Sequence, residues 1–163
     1  MKPAETTILD EVAARLANIS EANGYSRDFC TIRRQTQTPP KSGHIPDINY
    51  WTVGHEVAED QSYSCDNHAL TIFIAPRDKT RDEAFSDEAA NMIADVATAL
   101  NRATTAPKVS DAESFALGET VSDLIVRDSR YQVGQGQIPF NGALMEIEIT
   151  YKSPRGDMFT YEP

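Results

Sequence analysis

From Leu144 to Tyr151 the apolar residues Met145, Ile147, Ile149 and Tyr151 alternate with Glu146, Glu148 and Thr150. Period two is the mark of a strand with one buried face. Lying late in the chain, this strand is expected to complete a sheet begun by earlier ones. Leu70-Thr71-Ile72-Phe73-Ile74-Ala75 is apolar on both faces, as in a central strand, and Pro76 is expected to end it. Ile48 to Val53 carries Tyr50 and Trp51 and reads as a strand running past Gly54 towards Val57, with Gly54 marking a bulge. Residues 48–58 and 68–75 are predicted to pair as an antiparallel hairpin across a polar turn at 60–67. Phe29 to Arg33 and Asp123 to Val133 supply two further strands.

Two stretches change period. Leu9, Val12, Ala13, Leu16 and Ile19 recur at three- and four-residue spacing, opened by Thr7 with Asp10 and closed by Gly24, which predicts a helix over 7–23. Thr80 with Glu83 has the spacing of a capping box, and Phe85, Ala89, Met92, Ile93, Val96 and Leu100 trace one face of a second helix. The order helix, three strands, helix, two strands predicts an α+β fold: an antiparallel-dominated sheet of about five strands with two helices packed on one face.

Between the elements lie three irregular stretches. Residues 35–47 hold three prolines and a glycine without apolar pattern, the composition of a long loop or flexible arm. Residues 104–120 read as a linker pinned by Val109, Phe115 and Leu117, and 135–142 as an open loop. Past Lys152, Arg155-Gly156-Asp157 reads as a turn after Pro154, and Met158, Phe159 and Tyr161 form an aromatic tail that folds back or docks on another chain.

A chain of 163 residues predicts a single domain over 1–163, with 35–47 and 153–163 as its flexible parts. Its formal charge of −10 argues against direct binding of phosphate polymers or anionic membranes. No run approaches the roughly 20 apolar residues that span a bilayer, and Met1-Lys2-Pro3-Ala4-Glu5 lacks a hydrophobic signal segment, which predicts a chain made in the cytoplasm. The two cysteines are expected to be reduced, Cys30 buried in its strand and Cys65 in a loop.

Candidate chemistry is sparse. Cys65, Asp66 and His68 could offer three ligands to a metal, but a structural zinc takes four, commonly as two spaced pairs, and an ordinary polar turn accounts for the cluster. There is no phosphate-cradling glycine loop, no nucleophile elbow and no His-Glu-x-x-His. Glu146 and Glu148 share a face as an acid/base pair would, yet the other face of their strand is core, and a solvated strand face is the better account of them. The pattern predicts no catalytic, cofactor-binding or metal residue, no cofactor and no enzyme.

Ile72-Phe73-Ile74-Ala75-Pro76-Arg77-Asp78 and the ending Ile147-Glu148-Ile149-Thr150-Tyr151-Lys152-Ser153-Pro154-Arg155-Gly156-Asp157 resemble tail terminator and minor tail proteins of long-tailed bacteriophages and prophages. With the order of elements, the resemblance runs over most of residues 5–157. It implies a structural subunit that closes into a ring, usually six-membered, on the tail tube, in a virion assembled in the bacterial cytoplasm. Its partners would be further copies of itself, the tube protein and a head-completion protein, with DNA only as passing cargo and no membrane. A head-tail joining protein of the same fold is the alternative, and a small metal-dependent enzyme a more distant one.

A ring needs two different matching patches on each subunit. The irregular stretches offer the candidates: Pro39, Pro40 and His44 in the proline loop, Gln135 and Phe140 before the last strand, and Arg155, Phe159 and Tyr161 in the tail. The proline loop and the 104–120 linker have no counterpart in the family pattern, so that pattern assigns no contacts to them.

Overall fold

A computed structural model of the chain describes residues 2–34, 45–59, 64–79, 85–101, 121–134 and 140–159. Its elements are α1 (Ala4–Ala17), β1 (Thr31–Arg34), β2 (Asp47–Glu59), β3 (Cys65–Lys79), α2 (Phe85–Leu100), β4 (Asp123–Gly134) and β5 (Phe140–Pro154). The five strands form one sheet in the order β1-β2-β3-β5-β4, antiparallel throughout except for the parallel pair β1 and β2. The predicted α+β architecture and element order are those observed. The late strand β5 completes the sheet from inside, between β3 and β4.

Alternation decides which face is core. Leu70, Ile72 and Ile74 of β3 stand beside Ile149, Ile147 and Met145 of β5, all fully buried. Against them pack Ile8, Leu9, Val12 and Leu16 of α1 and Val96 and Leu100 of α2, in one continuous cluster. Burying each such side chain contributes about 1.5–3 kcal/mol, which ties both helices to one face of the sheet. Among the described residues no helix covers the other face, where Trp51 and Phe73 meet edge to face at 5.7 Å.

Several boundaries differ from the sequence expectation. Helix α1 begins after Pro3, and the Thr7 hydroxyl donates to the Pro3 carbonyl at 3.4 Å instead of capping. It ends at Ala17, and a single turn of 3-10 helix follows at Glu21–Asn23, closed by Gly24 at φ 84. Ile19 is buried beyond the break, so apolar spacing ran on where the helix did not. Phe85, expected on the buried face of α2, is 48% exposed because it opens the helix one turn before the sheet is reached. The Thr80–Glu83 capping box, the 104–120 linker and most of 35–47 lie outside the described residues.

Pro76 does not end its strand. The ladder between β3 and β5 skips Ala75 and Pro76 and resumes at Arg77 opposite Gly142, while Pro76 still stands opposite Ile48 of β2. A missing donor is tolerated where no ladder bond is asked of it. Residues 65–67, expected in a turn, start β3: all three pair with β5, and Asp66 and Asn67 also pair with β2. Residues 140–142, expected in a loop, begin β5. Cys30 is exposed, since it precedes the edge strand β1, and Cys65 lies in β3; the two are not joined in a disulfide.

Candidate functional site

The densest polar arrangement on the helix side of the sheet begins with the bulge at Val53. Thr52 stands opposite Ile72 but Gly54 opposite Thr71, so one residue of β2 is extra. That insertion shifts parity and brings His55, which unbroken alternation would send to the open face, onto the helix side opposite Leu70. There His55 Nε2 lies 2.9 Å from His68 Nδ1, and His68 Nε2 lies 2.7 Å from Ser153 Oγ. The Tyr151 hydroxyl is 3.2 Å from His55 Nε2, and its ring stacks on His68 at 4.5 Å. At the outer end His55 Nδ1 is 3.6 Å from a Glu5 carboxylate oxygen, while Glu5 also accepts from the Thr52 hydroxyl at 3.1 Å.

Burial sets the protonation of this row. His68 is 1% exposed, and removal from water holds its pKa below the ordinary histidine value, with the neighbouring His55 adding to the effect. Burial likewise pushes the Tyr151 phenol up to about 12, so it stays a donor. Which of His55 Nε2 and His68 Nδ1 donates follows from the tautomers, and Ser153, besides meeting His68 Nε2, donates its hydroxyl to the Pro154 carbonyl at 3.3 Å. The row thus runs from Ser153 through His68 to His55, which faces the carboxylate.

That order of groups is the one a nucleophilic serine would need. Ser153, however, has no exposed surface, and the groove of about 400 Å³ that His68 and Tyr151 border does not reach it. An outside substrate cannot meet the hydroxyl. What the row can do is satisfy buried polar groups and join α1 to three strands.

The cluster weighed as a metal site is dispersed. Both ring nitrogens of His68 are engaged as above, and Asp66 accepts from the Gly156 backbone at 2.9 Å. Among the described residues no group of three His, Cys, Asp or Glu could hold a metal ion. Glu146 and Glu148 share the open face as expected, and Glu148 is held by Arg127 at 2.6 Å, which keeps its carboxyl below the usual range.

A second polar cluster sits at the opposite end of β2. Asp47 is fully buried and held by Arg33, with Nε to Oδ2 at 2.8 Å, and by Arg77, with Nη2 to Oδ2 at 2.8 Å. Arg77 in turn lies 5.6 Å over the Phe140 ring. Phe140, one of the candidate contact residues, is therefore half-buried beneath a guanidinium.

Of the other candidates, Arg155 and Phe159 are exposed, at the turn and in the tail. In the turn Gly156 adopts φ 75, and Asp157 donates its N–H to Pro154 at 2.9 Å, as the glycine predicted. The tail is tied back where the Ala4 N–H donates to the Met158 carbonyl at 2.9 Å. Pro39, Pro40, His44, Gln135 and Tyr161 lie outside the described residues.

Sequence reading missed the joined histidines and the exposed apolar residues of the sheet's flanks, Val53, Val57, Tyr131 and Val133. Gly54 as a bulge was the one available signal for the first. Among the described residues no helix is long and apolar enough to cross a membrane. No protein-family model matches the chain, and no curated protein is significantly similar to it.

Proposed function

We propose that the chain is a structural virion subunit that caps the tail tube of a long-tailed bacteriophage, ending tube polymerisation and offering the surface on which the head is joined. Supporting this reading is the tail-terminator-like ending from Ile147 to Asp157, which here forms the second half of β5 and a turn held by the Gly156 to Asp66 bond. The observation that carries it is the distribution of exposed apolar side chains, which favours the two flanks of the sheet, as a head-to-tail assembling subunit requires.

In this reading the subunit acts as a homo-oligomeric ring, usually of six copies, with the tube protein below and a head-completion protein above. DNA passes through without being retained, in keeping with a formal charge of −10. The work is done by surfaces, with no bond made or broken.

Deleting the gene in a phage or prophage that encodes this chain is the test. Overlong tails without heads, restored to normal length by the wild-type gene, are the expected result. Tails of normal length that lack heads assign the chain to head-tail joining instead. Normal virions overturn both.

A further inference from the structure

Of the eight large apolar side chains exposed among the described residues, five lie on two strands: Val53 and Val57 on β2, and Val126, Tyr131 and Val133 on β4. β4 is one edge of the sheet. The other edge, β1, pairs only with residues 47–50, so among the described residues 51–59 of β2 has no strand on its outer side. Unpaired backbone flanked by apolar side chains is a template for another strand.

We propose that the outer edge of β4 in one copy of this chain pairs with the free outer edge of β2 in the next. Chain direction permits it. From β2 to β3, β5 and β4 the strands reverse three times, so β4 runs opposite to β2. Rotation about an axis along the strands preserves direction, and the β4 edge then meets the neighbouring β2 edge as an antiparallel ladder.

Charge and parity fix the register. Glu56, opposite Ala69, and Arg130, opposite Leu144, both project from the open face. Setting Glu56 across from Arg130 brings 54–58 against 128–132, between the bulges of the two strands. Val57 then faces Ser129, His55 faces Tyr131 and Val53 meets Val133, with each of the first two pairs on the helix side in both strands. The Arg130 side chain is 74% exposed and, among the described residues, holds Asp128 of its own strand alone, at 2.7 Å, which leaves it open to a partner across the interface.

Like edges fit less well. Two β2 edges offer Glu56 no Lys or Arg to face, since residues 51–59 hold none. Two β4 edges can set Asp128 against Arg130, but they leave Val53 and Val57 in water. Only the mixed pairing covers both flanks, and its two unlike patches propagate until rotation closes a ring. The inference rests on the proposed function in taking the next copy of this chain as the occupant.

The experiment is a charge exchange read by sedimentation velocity across a range of protein concentrations. Glu56→Arg and Arg130→Glu each raise the concentration at which the oligomer dissociates by at least tenfold, with unchanged circular dichroism. The chain carrying both substitutions returns to within about threefold of wild type. Singles that associate normally, a double variant no better than either single, a dimer indifferent to Glu56→Arg, or a wild-type chain monomeric at every concentration overturns the interface. Tail length separates this from the capping reading: if deletion lengthens tails while Glu56→Arg and Arg130→Glu leave them normal, capping stands and the interface falls.

Discussion

His55 and His68 face each other at 2.9 Å across the β2 and β3 ladder, although their registered partners are Leu70 and Val57. The diagonal contact exists because the bulge at Val53 turns His55 towards the helices, where it meets a ring already enclosed by Tyr151 and Ser153. Two histidines thirteen positions apart thereby become one hydrogen-bonded unit.

A pH dependence follows from His68. Its pKa is depressed in the folded chain, so between the ordinary histidine value near 6.5 and the lower folded value the unfolded chain binds more protons. Stability is then full above about pH 6.5 and falls as pH drops, with a limiting slope of about 1.4 kcal/mol per pH unit for one proton. Urea unfolding at pH 8, 7, 6 and 5 should show the decline between 7 and 5, and His68→Gln should flatten it. An equal decline in both proteins would refute the assignment.

Asp47 and Glu148 both pair with arginine and predict opposite outcomes. Asp47→Ala leaves the largely enclosed side chains of Arg33 and Arg77 without their fully buried carboxylate, and a loss of about 3–5 kcal/mol in urea unfolding is expected. Arg127→Ala removes an exposed partner of Glu148 and should leave the unfolding midpoint where it was.

Three glycines separate by what surrounds them. A Cβ on Gly142 would sit 2.6 Å from the Pro76 carbonyl oxygen, where β3 and β5 approach, so Gly142→Ala should cost about 1–3 kcal/mol. Gly156→Ala meets no atom but inherits φ 75, for a loss of about 1–2 kcal/mol. At Gly54 a Cβ has nothing within 4 Å, and Gly54→Ala should leave the thermal midpoint unchanged or slightly raised.

The thiols differ in access. Cys30 is exposed and Cys65 half-buried. A disulfide reagent added to the native protein should modify Cys30 in the fast phase, a phase that Cys30→Ser removes. Retention of that phase in the variant would contradict the exposure of Cys30.

The sequence by itself determined the type and order of the two helices and five strands, because each core-facing surface repeats at its own period. Met145 to Tyr151 could only be a half-buried strand, and Ala89 to Leu100 only a helix with one apolar stripe. Local signals also announced the bulge, which falls at Val53 beside the predicted Gly54, and the Gly156 turn. Tertiary structure decided the rest. Periodicity says which residues share a face but not which strand lies beside which, so the interior place of β5, the outer sides of β2 and β4 that no described strand covers, and the run of β3 through Pro76 had to await the pairing. The same holds for the polar clusters. His55, His68, Tyr151 and Glu5 come from three strands and a helix, and Arg33, Asp47 and Arg77 from three strands; a hydrogen bond depends on distances that only the assembled sheet and its one-residue parity shift create.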